Sequence, residues 1–372
     1  MLPSVVTLAS ICEDACHSGQ MEQYDIKPLN RQFVQEDFYN RHTQNNDGLS
    51  EQSLFENSTV NFKQFFRSSH FDLAHPSRTS LWFNLLHQDH IRNQHKFQQV
   101  IERYPEDVRN MFGRRNDIVV RLPSCVDSNH LPPYHLNRRG QHAVTRILSM
   151  FAYYHPDITC APLLGPITAL FLHYMTEIHA YEALLILTSN DFKMITQTEI
   201  QYQSLTHAFC SLLRRHCRST YEILSKQSSQ NSSSIFDDWL WIIFEHLPFH
   251  YLIAIVDCLL IEDMKILIRI AMTLYHFFVK YGMNQTGLIN RTRRRSSIFR
   301  RSTFIRSTRK STNHSSIVIS PSKKSQANLH DSLISYIEHF DLPIEKVFKH
   351  AFGIHHLQRK VIFRTMEVSD ED

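Results

Sequence analysis

The residues of this chain with the clearest chemical use are cations at helical spacing. Lys63 and Arg67 stand four positions apart in the run VNFKQFFR. On a helix they share one face, and an ammonium beside a planar guanidinium fork can grip one phosphate. The densest charge lies later: Arg291 to Lys324 holds eleven Lys or Arg among serines and threonines, and no acid occurs between Lys265 and His330. A loop of that kind is drawn to an anionic leaflet by about 1 kcal/mol per cation, without selectivity and screened by salt. Within it, Arg294-Arg295-Ser296-Ser297 and Arg300-Arg301-Ser302-Thr303 suit a basophilic kinase acting at Ser297 and Thr303. Each phosphate would add about −1.5 to −2 charge and loosen the loop from lipid. Only two aromatics, Phe299 and Phe304, stand among these cations, too few for a base-stacking platform, so no specific nucleic-acid partner is expected.

Other site chemistries are weaker. His355 and His356 neighbour each other and His350, but no Cys or carboxylate stands at metal-ligand spacing, so no metal is expected. The seven cysteines are odd in number and without a CxxC pair, which indicates neither a disulfide framework nor zinc and suits a reducing cytosol. No phosphate-cradling glycine loop or nucleophile elbow is present, and no cofactor is implied. These residues describe a binding protein rather than an enzyme.

The elements that must position such residues are helices. Only 8 glycines occur in 372 residues, against about 26 at average usage, which argues against dinucleotide folds and turn-rich β architectures. An all-α chain is the expectation. Residues 1–58 are rich in Gln, Asn, Ser and Asp, with apolar residues too sparse to offset ordering, and read as a disordered arm. The N-terminal apolar run lacks a basic flank and meets Glu13 and Asp14, unlike a signal peptide. Order is expected from about residue 59 to 368. Short helices are predicted in VNFKQFFR and SRTSLWFNLLHQ, the latter after Pro76 with Ser77 as a cap; a longer one spans Arg138 to Tyr154, capped by Asn137. Helical spacing also marks Ile158–Tyr174, Tyr181–Leu187 and Thr198–Leu224.

Asp238 to Val279 predicts three consecutive core helices, broken at Pro248 and at Glu262-Asp263, acids suited to a helix N-terminus. Ile266, Ile270 and Leu274 make one stripe of the last, with Lys265 and Arg269 on another face. No 18-residue window there is free of charge, so a buried core fits better than a membrane span. Helical periodicity resumes at 330–341, 343–353 and 356–367, which makes residues 284–328 a disordered basic insertion inside the domain.

Phe244-Glu245-His246-Leu247-Pro248, then Val256 to Asp263 and Lys265 to Met272, resemble the late part of a TBC (Rab GTPase-activating) domain. Arg78 and Trp82 match its early Arg-x-x-x-Trp. Ser124 to Asp127, Tyr134 to Asn137, Tyr154 to Pro162 and Ala351 to Ile354 are similar to the divergent Skywalker type, which pairs a TBC domain with a TLDc domain and acts in synaptic vesicle traffic. The chain ends at Asp372, so no TLDc domain is expected in it.

The resemblance implies a regulator of vesicle traffic, cytoplasmic and peripheral on vesicle or plasma membranes, whose partners are a small GTPase of the Rab or Arf type and phosphoinositides. Active TBC domains supply an arginine and a glutamine to GTP hydrolysis from I-x-x-D-x-x-R and Y-x-Q. The matching stretches here, Ile118-x-x-Arg121-x-x-Ser124 and Cys160-Ala161-Pro162, put Ser124 and Pro162 at the finger positions. Neither can offset phosphoryl charge or hold water. Catalysis is therefore not expected; the alternative is an active GTPase-activating protein with Arg121, Arg138 or Arg139 as a displaced finger. The phosphoinositide pocket of the Skywalker type implies a lipid role for Lys63 and Arg67. Its further arginine corresponds to Ala254 here, which leaves Lys265, Arg269, His355 and Arg359 as possible additional cations, and Asp263 stands where the family pattern has glycine.

Overall fold

The structure is a computed structural model and describes residues 29–43, 67, 72–75, 77–88, 94–113, 121–189, 195–228, 235–283 and 329–369. Among these there is no strand, only an isolated bridge between Val34 and Leu136. Fourteen α-helices follow in order: α1 Glu36–Thr43, α2 Ser77–Gln88, α3 Gln94–Phe112, α4 Arg138–Tyr154, α5 Leu164–Phe171, α6 Glu177–Thr188, α7 Glu199–His216, α8 Arg218–Ser228, α9 Trp239–Phe244, α10 Phe249–Glu262, α11 Lys265–Phe277, α12 Leu329–Glu338, α13 Ile344–Phe352 and α14 Arg359–Ser369.

The core gathers on α9, α10 and α11. Ile266, Ile270 and Leu274 are fully buried, as are Trp239, Ile243 and Phe244. α11 lies between α9, α10 and α13, α14 packs along α7, and α4 to α6 form a second group joined to the first where α2 bridges α10 and α6. The breaks follow local chemistry. Asn137 caps α4 by accepting from the Gly140 amide at 2.9 Å, Thr176 and Thr198 cap α6 and α7 in the same way, and Pro248 stands at the start of α10.

One buried ion pair ties the two groups together. Arg78 on α2 donates to both carboxylate oxygens of Asp257 on α10, at 3.1 and 3.2 Å, and the Trp82 indole donates to the same carboxylate at 2.6 Å. The rest of the guanidinium donates to the Asp72 and Leu73 carbonyls at 2.7 and 3.0 Å, so this charge is satisfied although Arg78 is 1% exposed.

One expectation is revised and one element is added. Residues 29–43, assigned above to the arm, pack onto the domain. Leu29, Phe33, Val34 and Phe38 are buried and join the core of the domain. α3 had no assignment, since glutamines and charges mask a stripe of Val100, Tyr104, Val108 and Phe112 at four-residue spacing. The helix expected in VNFKQFFR lies outside the described residues except for Arg67, and so does the insertion 284–328 with Ser297 and Thr303.

Candidate functional site

Three of the cations singled out by sequence meet around one carboxylate. Arg67 donates to both oxygens of Glu262, at 2.5 and 2.7 Å. The Lys265 ammonium lies 4.0 Å from Glu262 and 4.0 Å from Asp263. Arg269, one turn further along α11, donates to the Leu357 carbonyl at 3.4 Å. Among the described residues its Nε has no hydrogen-bond partner. The ring of Phe352, at the end of α13, lies under both guanidinium groups, 4.4 Å from Arg67 and 5.7 Å from Arg269.

Glu262 was read as an acid opening a helix; it is instead the last residue of α10, 3% exposed, and serves as the anchor of the cluster. Asp263 does meet α11, where its carboxylate accepts from the Lys265 amide at 3.1 Å. Pairing with Glu262 raises Arg67 above the ordinary guanidinium pKa, whereas burial and the Arg67 charge lower Arg269. Both stay protonated at any physiological pH. Arg67 remains about a third exposed, so the cluster opens to solvent on that side.

More positive charge adjoins it. His216 closes α7, where the helix dipole favours a cation, and is held below its ordinary pKa by burial and by Arg215, His356 and Arg269. Arg215, His216 and His356 were not anticipated, because nothing local to their sequence marks a contact with α11. His355 is exposed and beside His356. Arg359 begins α14, Lys63 lies outside the described residues, and Ala254 is buried on the α10 face that carries Cys258 and Glu262, two helical turns before the latter. Among the described residues no group of His, Cys, Asp or Glu could hold a metal ion, and no helix is long and apolar enough to cross a membrane.

The two finger positions also come together. Ser124 and Pro162 line one open cleft of about 530 Å³, with their loops joined by the Ala161 amide donating to the Cys125 carbonyl at 2.8 Å. Its charged lining is acidic, Asp127 and Glu199, and the Cys160 thiol beside them is pushed up to about 12 by burial and by Glu199. Arg121, Arg138 and Arg139 are exposed and do not line it. Ile118 lies outside the described residues.

The chain is 32% identical over 234 residues to the GTPase-activating protein skywalker of Drosophila melanogaster, covering 62% of this chain and 39% of that protein. To TBC1 domain family member 24 of Xenopus laevis it is 30% identical over 241 residues, 64% of this chain and 42% of the relative. The chain thus spans less than half the length of these relatives. Two crystal structures of the Skywalker TBC domain from Drosophila melanogaster share the fold. One matches with a TM-score of 0.66 at 26% identity, over 83% of this chain and 90% of that one. The other, in complex with inositol(1,4,5)triphosphate, matches with a TM-score of 0.63 at 27% identity, over 82% and 93%. The family model of the Rab-GTPase-TBC domain matches residues 75–281, and the chain belongs to that family, as a TBC protein of the Skywalker type.

Proposed function

We propose that this chain regulates membrane traffic by settling on phosphoinositide membranes through the Arg67 cluster while engaging a small GTPase of the Rab or Arf type. The observation that carries this reading is the meeting of Arg67, Lys265 and Arg269 around Glu262: three cations against the two carboxylates Glu262 and Asp263, open to solvent at Arg67. A headgroup phosphate can take over the free guanidinium edges and the ammonium, and multiple phosphates compete best with Glu262. That a TBC domain of this fold was crystallised with inositol(1,4,5)triphosphate supports the assignment. On this reading the protein is cytoplasmic and peripheral on vesicle or plasma membranes, and phosphates on Ser297 and Thr303 weaken the contribution of the basic insertion.

The same proposal holds that the GTPase is bound without efficient acceleration. Ser124 and Pro162 share a cleft whose charged lining is Asp127 and Glu199, the wrong sign to offset charge on a transferred phosphoryl. The competing reading, an active GTPase activator with a displaced arginine, draws on the name of the Drosophila relative. Vesicle sedimentation tests the lipid half. The Arg67→Ala, Lys265→Ala protein, shown to be folded by circular dichroism, should lose binding to phosphoinositide vesicles, and unchanged binding would rule the cluster out.

A further inference from the structure

The segment before the TBC match enters the domain as a strap. Its backbone is pinned at three places: the Asn30 amide donates to the His173 carbonyl at 2.7 Å, the Gln35 amide to the His135 carbonyl at 2.8 Å, and the Asn137 amide to the Phe33 carbonyl at 2.7 Å. Gly140 leaves room for it, since a Cβ there would stand 2.5 Å from the Phe33 carbonyl oxygen. From α1, Phe38 inserts into a nest of rings. His135 stacks on it at 4.1 Å between centroids, His42 lies at 4.5 Å, Phe249 at 5.2 Å and His173 at 6.0 Å. The floor is strained: Tyr134 and His135 have φ of 45° and 58°, values that β-carbon side chains rarely adopt.

The groups facing this nest are cationic or able to become so. The strap supplies Arg41 and His42, the loop before α4 supplies His135, α10 supplies His250 at the rim, and the turn after α5 supplies His173. Among the described residues no carboxylate pairs with any of these four histidines, and the acid Glu36 on the strap is turned to Arg31 at 3.2 Å. Burial holds all four below the ordinary imidazole value, with Arg41 adding to this at His42 and His135 and a neighbouring histidine at His135, His250 and His173; His173 is lowered to about 3. Neither the lipid cluster nor the finger cleft uses any of them.

We propose that residues 29–43 form an acid-released latch, docked while His42 and His135 are neutral and freed when they take up protons, which bares Phe249. With the strap off, these histidines face water and titrate near 6.5, whereas docked they titrate lower, so the open form binds more protons and docking weakens as pH falls. The limit is about tenfold for each histidine between pH 7.5 and 5.5, or about a hundredfold for the pair.

Hydrogen exchange on the full chain at pH 7.5 and pH 5.5, normalised to intrinsic rates, tests this. The amides of Asn30 and Gln35 should lose at least about tenfold in protection at the lower pH, while those of α11 keep theirs. A His42→Gln, His135→Asn protein, in which asparagine tolerates the left-handed backbone at 135, should hold strap protection within about threefold between the two conditions. Equal strap protection of the wild type at both pH values, loss of α11 protection together with the strap, or an equally acid-sensitive double variant would each overturn the latch.

Discussion

Arg67 and Glu262, 195 positions apart in the chain, meet as a two-pronged ion pair at 2.5 and 2.7 Å, with the carboxylate almost wholly buried and the guanidinium about a third exposed. That asymmetry decides what each partner does. Glu262 needs Arg67, because a buried carboxylate left with Lys265 at 4.0 Å is poorly compensated. Arg67 can tolerate its loss by turning to water or to an anionic ligand.

A double-mutant cycle on this pair should therefore be uneven. Arg67→Ala is expected to cost about 2–3 kcal/mol, Glu262→Gln about 1 kcal/mol, and the double variant less than their sum by about 1 kcal/mol or more. Urea unfolding of the four proteins measures this. In vesicle binding the order changes: Glu262→Gln, which frees Arg67 and removes a negative charge, should bind phosphoinositide membranes at least as tightly as wild type, while Arg67→Ala binds least.

Asp263 carries strain that glycine would relieve. It follows α10 with φ 60° and ψ −166°, a conformation open in practice only to glycine, and its compensation is the hydrogen bond from the Lys265 amide. Asp263→Gly should raise stability by about 0.5–1 kcal/mol, and Asp263→Ala, which keeps the strain and loses the hydrogen bond, should lower it by about 1 kcal/mol. Thermal denaturation distinguishes the two.

Much of the fold was legible because it is local. Asn137 before a stripe of Val144, Ile147, Leu148 and Phe151 marks α4 from end to end, and Pro248 with Glu262-Asp263 divides α9, α10 and α11 where the chain breaks. α3 was hidden by its composition. The strap was hidden by scale: Leu29, Phe33, Val34 and Phe38 are too few to order a segment alone and order it only against His135, His173 and Phe249. The Arg67 cluster was half legible. Four-residue spacing picks out Lys265 and Arg269, but the partner that gathers Arg67 to them lies on another helix, and no local pattern announces Glu262 as an anchor rather than a helix-opening acid.

The Arg78–Asp257 pair tests whether a buried charge bridges the two helix groups. Asp257→Asn keeps the size of the side chain but leaves the buried Arg78 guanidinium without its counter-charge, while it still donates to the Asp72 and Leu73 carbonyls. The expected loss is about 3–5 kcal/mol, seen as a lower urea midpoint. Asp257→Asn with Arg78→Met should recover part of it, since removing both charges costs less than stranding one.

The finger cleft makes the last prediction, on GTP hydrolysis. With a panel of Rab and Arf GTPases the wild-type chain should leave turnover close to the intrinsic rate, and Arg121→Ala should change nothing, because Arg121 does not line the cleft. Ser124→Arg with Pro162→Gln restores a cation and an amide to positions that share one cavity. If a GTPase docks there, turnover should rise at least about tenfold, short of the roughly 10³ to 10⁵ that a fully positioned arginine supplies, because Asp127 and Glu199 still oppose the phosphoryl charge. Removing that opposition with Asp127→Asn and Glu199→Gln in the same protein should raise the rate further. Large acceleration by the wild type, lost on Arg121→Ala, would instead establish a displaced finger and an active enzyme.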